Sequence, residues 1–567
     1  MAAAHVLVFP CPAQGHINCM LQFTAGLLAA GLHVTFLHSD HNLRRLRHAN
    51  NNNNNESTAA ANSSPRLRFM SVPDGLPDDH PRSAGNLVEF MESMFAKTSV
   101  AYRALLSSLR APAPPLDAND DGLLFPPVTC VVADGMLPFA ITVSEELGVP
   151  ALAFRTASAC SFLAYLSVPD LVALGEVPVP ESADLDAPVR GVPGMEAFLR
   201  LRDLPSFCRG RSDPAGTADG LDPMLRILVD SVPQSRNARA FILNTSASLE
   251  RDALSHIAPH MRDLFAVGPL HAMFQAPGAG GALWREDDAC MRWLDAQADG
   301  TVVYVSLGSL AVISLEQFTE FLSGLVNAGH PFLWVLRPDM VDASQNAVLQ
   351  DAVKQSKGCV VEWAPQRDVL RHRAVGCFLT HAGWNSTLEC VVEGVPTVCW
   401  PFFADQQTNS RFMGAVWGTG LDMKDVCERA VVERMVREAV ESGELRSSDG
   451  WLSSSLSSAS ASARWRPQSP KTNSHRLRIR CAVVRGGFGS PIGQCTVLNC
   501  RPKRLRIRCV VVLAGLADQS GQCINYRPSF QFITSNFQPY SSLTCRKINY
   551  GVAWMKKGKF AQVSSIS

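Results

Sequence analysis

VGCFLTHAGWNSTLECVVEGVPTVCW, residues 375–400, changes its hydrophobic period twice. An apolar run of strand length, 375–380, ends in small and polar residues. A segment with helical spacing then runs over roughly Thr387 to Glu393, Gly394 closes it, and VPTVCW begins a second strand. Strand, helix and strand in that order form the unit from which parallel sheets are built. The same alternation continues upstream. TVVYVS (301–306), PFLWVL (331–336) and Cys359 to Trp363 read as strands, and Leu315 to Val326 reads as a helix. Farther back, QAPGAGGA (275–282) is rich in Pro and Gly and reads as a linker.

A second series of such units precedes the linker. HVLVFP (5–10) is a strand closed by Pro, Ile17 to Ala30 a helix ended by Gly31, and HVTFLHS (33–39) a strand; VTCVVA (128–133) and Ala151 to Phe154 are further strands. The expected fold is α/β, with two Rossmann-like domains facing across a cleft. The expected boundaries are 1–270 for the first domain, 271–283 for the linker, 284–446 for the second domain and 447–567 for a tail. In open parallel sheets ligands bind beyond the carboxyl ends of the strands, which places both candidate sites at the cleft.

At 567 residues the chain exceeds what one core serves, and with 46% hydrophobic residues most of it can fold. Its net charge of +1 conceals an asymmetry: residues 447–567 hold 18 Lys and Arg against 2 Asp and Glu, and the remainder 34 against 49. The opening MAAAHVLVFPCPAQGH has no basic leader and no run long enough to cross a bilayer, so an unexported, cytoplasmic protein is expected. Eleven of the 17 cysteines precede Ser447, scattered singly, which favours reduced thiols. Cys11 and Cys19 flank His16, but no second Cys/His cluster completes a zinc site.

The chemistry concentrates between Trp363 and Gln406. Small and polar residues at a helix start leave backbone N–H groups unpaired, and the positive helix end favours an anion there. His381, Asn385 and Ser386 add side-chain donors at that spot, which suits a diphosphate. Glu389, one turn inside, can accept from a ribose diol, and Trp363 offers a face for a base, a contact worth about 1–3 kcal/mol. Asp405 and Gln406, at the end of the next strand, provide an acceptor and a mixed donor and acceptor for sugar hydroxyls. Singly, each has a plainer role: Trp363 in a core, Asn385 as an N-cap, Asp405 in a turn. In the first domain, His16 on the turn after the first strand suits proton removal from a hydroxyl, and Asp134 would accept from the other imidazole nitrogen. That turn, CPAQGHIN, lacks the GxGxxG of nicotinamide-dependent enzymes.

The 44 residues from Trp363 to Gln406 resemble the signature box of plant family 1 UDP-glycosyltransferases, with HAGWNS and the closing DQ in place, and the resemblance covers roughly residues 5 to 445. It implies a GT-B enzyme that transfers glucose from UDP-glucose, as co-substrate, to a small apolar acceptor with inversion. No metal or other cofactor, no nucleic-acid partner and no transmembrane segment is expected; oligomeric state stays open, a monomer being preferred. By the same resemblance uracil stacks on Trp363, with the Ala364 backbone and Gln366 at the uridine edge. His381, Asn385 and Ser386 hold the phosphates, aided by Ser309 in the VSLGS turn. Glu389 binds ribose, while Asp405, Gln406 and the Trp384 backbone hold the sugar. Thr156, in FRTASAC, reaches it from the first domain, and His16 with Asp134 forms the catalytic pair. A closing Gln in that family accompanies glucose. Two positions depart: Cys19 stands where Pro is common, and Arg155 where an aromatic often precedes the threonine.

Past Glu444 the resemblance ends, where the family continues into a helix that packs back across the first domain. A serine-rich run is followed by basic sequence in which RLRIRCAVV (476–484) recurs as RLRIRCVVV (504–512) and GQC (493–495) as GQC (521–523). Two readings stand, a basic arm for nucleic acid or anionic lipid and translated non-coding or mis-spliced sequence. The second is preferred because no recognised nucleic-acid motif accompanies the charge. The missing closing helix also leaves an alternative function, a catalytically impaired protein that still binds UDP-sugar or acceptor.

Overall fold

Unbroken apolar runs become strands buried on both faces, the condition a parallel sheet covered by helices requires. His5–Phe9 (β1), His33–Ser39 (β2), Val302–Ser306 (β8) and Phe332–Val335 (β9) are buried along their whole length. The computed structural model that shows this describes residues 4–51, 64–110, 125–209, 221–276, 286–337 except 288, 357–442 and the single residues 353 and 445. All lie within one compact unit, Met1–Arg464. The basic repeat, the Gly-rich residues 277–282 and most of the asparagine run lie outside the described residues.

The first sheet adds Leu67–Val72 (β3), Cys130–Asp134 (β4), Ala151–Arg155 (β5), Ala240–Leu243 (β6) and Leu264–Ala266 (β7), in the order β3-β2-β1-β4-β5-β6-β7. The second adds Gly358–Val361 (β10), Val375–Thr380 (β11), Thr397–Cys399 (β12) and Gly420–Asp422 (β13), ordered β10-β9-β8-β11-β12-β13. Every described pair is parallel. The expected α/β fold with two Rossmann-like sheets is present. Each sheet reverses its direction of growth once, between β1 and β4 and between β8 and β11, and a crevice opens at such a reversal. Register sets Phe9 beside Ala133 in the first sheet and Ser306 beside Thr380 in the second. The chain segments leaving those four residues are therefore neighbours.

Both helices that follow the reversals start earlier than the apolar spacing predicts. Gln14–Ala29 begins three residues before Ile17, and Trp384–Glu393 three before Thr387. Their first turns face the cleft, so these carry small, polar or functional residues and lack the apolar period that marks a helix on a core. His16 consequently sits in the first turn of a helix rather than on a loop. Gly394 closes the second helix in the left-handed conformation, as expected. Asp405 and Gln406 also move. β12 stops at Cys399, Pro401 follows, and Asp405 becomes the N-cap of a helix, Gln406–Arg411, instead of a strand end.

Polar contacts between residues of the two halves are numerous. Asp203, fully buried, takes the Lys424 ammonium at 2.8 Å and the Arg200 guanidinium at 2.9 and 3.0 Å. Burial alone would raise that carboxyl, but Arg200 and Lys424 hold it below its ordinary value. Nearby, Thr408 Oγ1 donates to the Asp203 carbonyl at 2.8 Å and Ser158 Oγ to Asn409 Oδ1 at 2.8 Å. The eleven cysteines among the described residues are free thiols. No helix of the described residues is long and apolar enough to cross a membrane.

Under the second sheet, helices Leu315–Ala328 and Arg429–Glu441 touch at Gly324, where a Cβ would lie 2.6 Å from Val432 Cβ and 2.9 Å from the Arg429 carbonyl oxygen. Neither neighbour is the free end of a flexible side chain. Gly324→Val should therefore lower stability by about 1–3 kcal/mol through overpacking, read as an earlier denaturant midpoint. An unchanged midpoint would show that the two helices are not held this closely.

Candidate active site

The first reversal brings His16 and Asp134 together. Asp134 ends β4 with no exposed surface, and its Oδ2 lies 2.6 Å from His16 Nδ1. Its oxygens also accept from the Cys11 N–H at 3.2 Å and the Met136 N–H at 2.9 Å. Burial would raise this carboxyl, yet the His16 charge and hydrogen bond, with the Met136 N–H, leave it below its ordinary value. A carboxylate fixed on Nδ1 keeps the proton there and leaves Nε2 as the basic nitrogen. Thr156 Oγ1, just past β5, lies 2.9 Å from His16 Nδ1 and 3.5 Å from Nε2, so the structure sets Thr156 against the imidazole.

The second reversal brings together Ser309, after β8, and His381, after β11. His381 fits only because two glycines face it: a Cβ on Gly308 would lie 2.6 Å from Nε2, and one on Gly383 2.5 Å. Gly308 also holds φ +78°, which a side chain disfavours. The buried Arg337 fixes the same turn, donating to the carbonyls of Gly308 at 2.6 Å and Ala311 at 2.8 Å. Gly383 is the N-cap of Trp384–Glu393 and supplies no side-chain cap, so the first N–H groups of this helix stay available at its positive end. The Trp384 indole turns away and donates to the Asn244 carbonyl at 2.8 Å, leaving its backbone at the helix start.

Deeper in, Gln366 Nε2 donates to Glu389 Oε2 at 2.7 Å and to Ser386 Oγ at 3.0 Å, and its Oε1 accepts from the Tyr304 hydroxyl at 3.3 Å. Burial raises the Glu389 carboxyl, with Gln366 and Arg367 acting against it. Trp363 is half-buried at the rim and Ala364 is buried beside it. At the opposite end Asp405 Oδ2 accepts from Asn409 Nδ2 at 2.9 Å. Gln406 Oε1 accepts from the N–H groups of Phe402 at 2.7 Å and Phe403 at 3.0 Å. Those bonds commit the Gln406 carbonyl to the loop, so it presents its amide N–H groups as donors instead of the mixed function expected.

One cavity of about 910 Å³ joins these groups, lined by every predicted site residue except Asp134, which stands behind His16. Across it Asn385 Nδ2 donates to the Gly15 carbonyl at 2.7 Å, linking the two helix starts. Arg337 and Asn409 were not predicted. Arg337 acts through carbonyls 26 and 29 positions away, and Asn409 through Asp405 and the Ala382 carbonyl, so no local pattern marks either. Among the described residues no group of three or more His, Cys, Asp or Glu is placed to hold a metal ion.

A family model described as UDP-glucoronosyl and UDP-glucosyl transferase matches residues 230–442. The chain is 41% identical to a 7-deoxyloganetic acid glucosyltransferase of Catharanthus roseus over 77% of its own length and 89% of that protein. It is 35% identical to an (R)-mandelonitrile beta-glucosyltransferase of Prunus dulcis, over 78% and 89% respectively. The crystal structure of Os79 from O. sativa in complex with UDP superposes with a TM-score of 0.62 at 26% identity, covering 80% of this chain and 95% of that one.

Enclosure of the His381 ring lowers its pKa to about 4 from an ordinary 6.5. The ring is therefore neutral near pH 7. Through this group, stability is present above about pH 6.5 and is lost as pH falls towards 4, because the unfolded chain takes up the proton first. NMR of isotope-labelled histidines, assigned with His381→Gln, should show this ring titrating with a midpoint near 4. A midpoint above about 6, the ordinary histidine range, would contradict the enclosure.

Proposed function

Because the chain belongs to the family of UDP-glucuronosyl and UDP-glucosyl transferases, we propose that it moves glucose from UDP-glucose to a hydroxyl of a small, largely apolar acceptor. UDP and a β-glucoside are the products. The observation that carries this reading is the joining of the His16–Asp134 pair and the Trp384–Glu393 helix start in one cavity, linked by the bond from Asn385 to Gly15. A base on one sheet faces an anion site on the other. Wall residues on the first side include Phe90, Met91, Met136, Phe207, Met224 and Leu228, which suits an apolar acceptor body. On this reading residues 1–270 bind the acceptor, 284–446 the donor, and 271–283 join them.

In the proposed reaction the acceptor oxygen attacks the anomeric carbon as His16 Nε2 takes its proton. The bond from that carbon to the UDP oxygen breaks on the opposite face, which inverts α to β. Asp134 stabilises the imidazolium that forms. Ser309, His381, Asn385, Ser386 and the helix N–H groups take the charge that develops on UDP, a role that needs no divalent metal. Uracil lies on Trp363, with Ala364 and Gln366 at its edge. Glu389 accepts from ribose once Gln366 yields to it. Asp405, the Gln406 amide, the Trp384 backbone and Thr156 hold the sugar. The cytoplasm, where UDP-sugars serve such acceptors, is the proposed compartment.

Two substitutions test separate halves of the mechanism. His16→Ala should lower turnover by roughly 10²–10⁴-fold with UDP affinity little changed, as removal of a general base does. Near-normal turnover would take His16 out of the chemistry. Trp363→Ala should weaken UDP binding by about 1–3 kcal/mol in calorimetry, the worth of a base stack. Unchanged affinity would remove the uridine assignment.

A further inference from the structure

Four arginines line the cavity. Arg82 is held by Asp74 at 3.0 and 3.1 Å, Arg367 donates to the His271 carbonyl and Arg371 pairs with Glu393 at 2.7 Å. Arg155 differs. It is 3% exposed, its Nη1 is enclosed with no hydrogen-bond partner, and among the described residues it enters no ion pair. The buried carboxylates of Asp134 and Asp405 offset part of its charge, but neither bonds to it: Asp134 is bonded to His16 and Asp405 to Asn409. The side chain crosses Gly135, where a Cβ would lie 3.3 Å from its Cδ, and its guanidinium lies 5.7 Å from the Phe162 ring centroid. Burial lowers the pKa of this group, but a guanidinium keeps its proton near neutrality. A guanidinium enclosed with no hydrogen bond to Nη1 and no ion pair is left with donor capacity that a ligand can satisfy.

The position identifies the ligand. Arg155 ends β5 in the first sheet and immediately precedes Thr156, whose hydroxyl touches His16. The diphosphate donors belong to the second sheet and form a set without it. Resting on the glucosyl-transfer reading, we infer that Arg155 receives a carboxylate of the acceptor, so that the preferred substrate is an apolar hydroxy acid held by its carboxylate with its hydroxyl towards His16. The planar fork of a guanidinium matches the two oxygens of a carboxylate. In this arrangement the carboxylate is the anchor, its oxygens accepting from the guanidinium, and the hydroxyl is the nucleophile, because the hydroxyl is the group turned towards His16 Nε2, which removes its proton.

The test compares hydroxycinnamic, hydroxynaphthoic and hydroxydecanoic acids with their methyl esters. UDP release with UDP-glucose is followed in the full-length protein, and calorimetry of the UDP-bound protein measures acid binding. An acid should exceed its ester in kcat/KM by about 10–100-fold, the worth of a hydrogen bond to a charged group. Arg155→Met should bring that ratio close to one by slowing the acid, with ester turnover and UDP affinity kept; Arg155→Lys should retain part of it. The inference is overturned by esters used as well as acids, by an acid preference that survives in Arg155→Met, by no acid binding to the UDP-bound protein, or by a product cleaved by mild base as a glucose ester. Loss of UDP affinity in Arg155→Met would instead assign the arginine to the donor and equally end the proposal. Ester glucosylation without acid preference removes only the role of Arg155, whereas a wild-type protein that binds no UDP removes the glucosyl-transfer reading as well.

Discussion

The 2.7 Å bond from the Asn385 amide to the Gly15 carbonyl joins the two places where this fold leaves backbone groups open. Each parallel sheet satisfies its own ladder and buries both faces, so free N–H groups and reachable side chains occur mainly beyond the strand ends at the two reversals. One reversal delivers an imidazole on a carboxylate, the other a helix start without a side-chain cap. Neither alone can carry a sugar from a diphosphate to a hydroxyl. Contacts such as Lys424 with Asp203 and Asn409 with Ser158 hold the halves near enough for the two to share a cavity. Reacting groups held in register convert a bimolecular encounter into an effectively unimolecular step, and a displacement of about 1 Å can cost roughly 10²-fold in rate.

The polar groups of the cleft satisfy one another in a way that a ligand would rearrange. Gln366 bridges Glu389 and Ser386, Asn385 holds Gly15, and Asn409 holds Asp405. Each partnership covers a donor or acceptor that would be expensive to leave bare in an enclosed site. On the proposed reading, a donor bound here exchanges existing hydrogen bonds for new ones, and selectivity would come from which sugar and nucleotide offer equally good replacements. Gln406 is instead committed through its carbonyl to Phe402 and Phe403, which leaves its amide N–H groups as the side chain's remaining function. Arg155 has a ring contact with Phe162 but no hydrogen bond to its Nη1 and no ion pair, which sets it apart from the other cavity arginines.

Most strands were legible because a buried parallel strand announces itself as an unbroken apolar run; VGCFLT became β11 with the ends expected. The first turns of the two key helices were not, since Gln14, Gly15, His16, Trp384, Asn385 and Ser386 serve the cleft and do not repeat the core's period. Asp405 was read as a strand end because aromatic residues after Cys399 prolong the apolar signal past the last ladder bond. Which residues of the second half come to line the cavity was readable from the motif between Trp363 and Gln406. Their mutual contacts were not, because Gln366 with Glu389, or Arg337 with Gly308, pair residues from separate elements. Gly308 and Gly383 gain their reason only once the His381 ring is seen against both.

The central claim is a single displacement carried out between a base on one sheet and a donor on the other, and the stereochemistry of the product reports on it most directly. Proton NMR of the glucoside formed from UDP-α-glucose, recorded early in the reaction, should show the large anomeric coupling of a β-linkage from the first detectable product. An α-glucoside would mean that the anomeric carbon is displaced twice or attacked from the face of the leaving UDP, and an imidazole acting once across this cleft could not then be the mechanism.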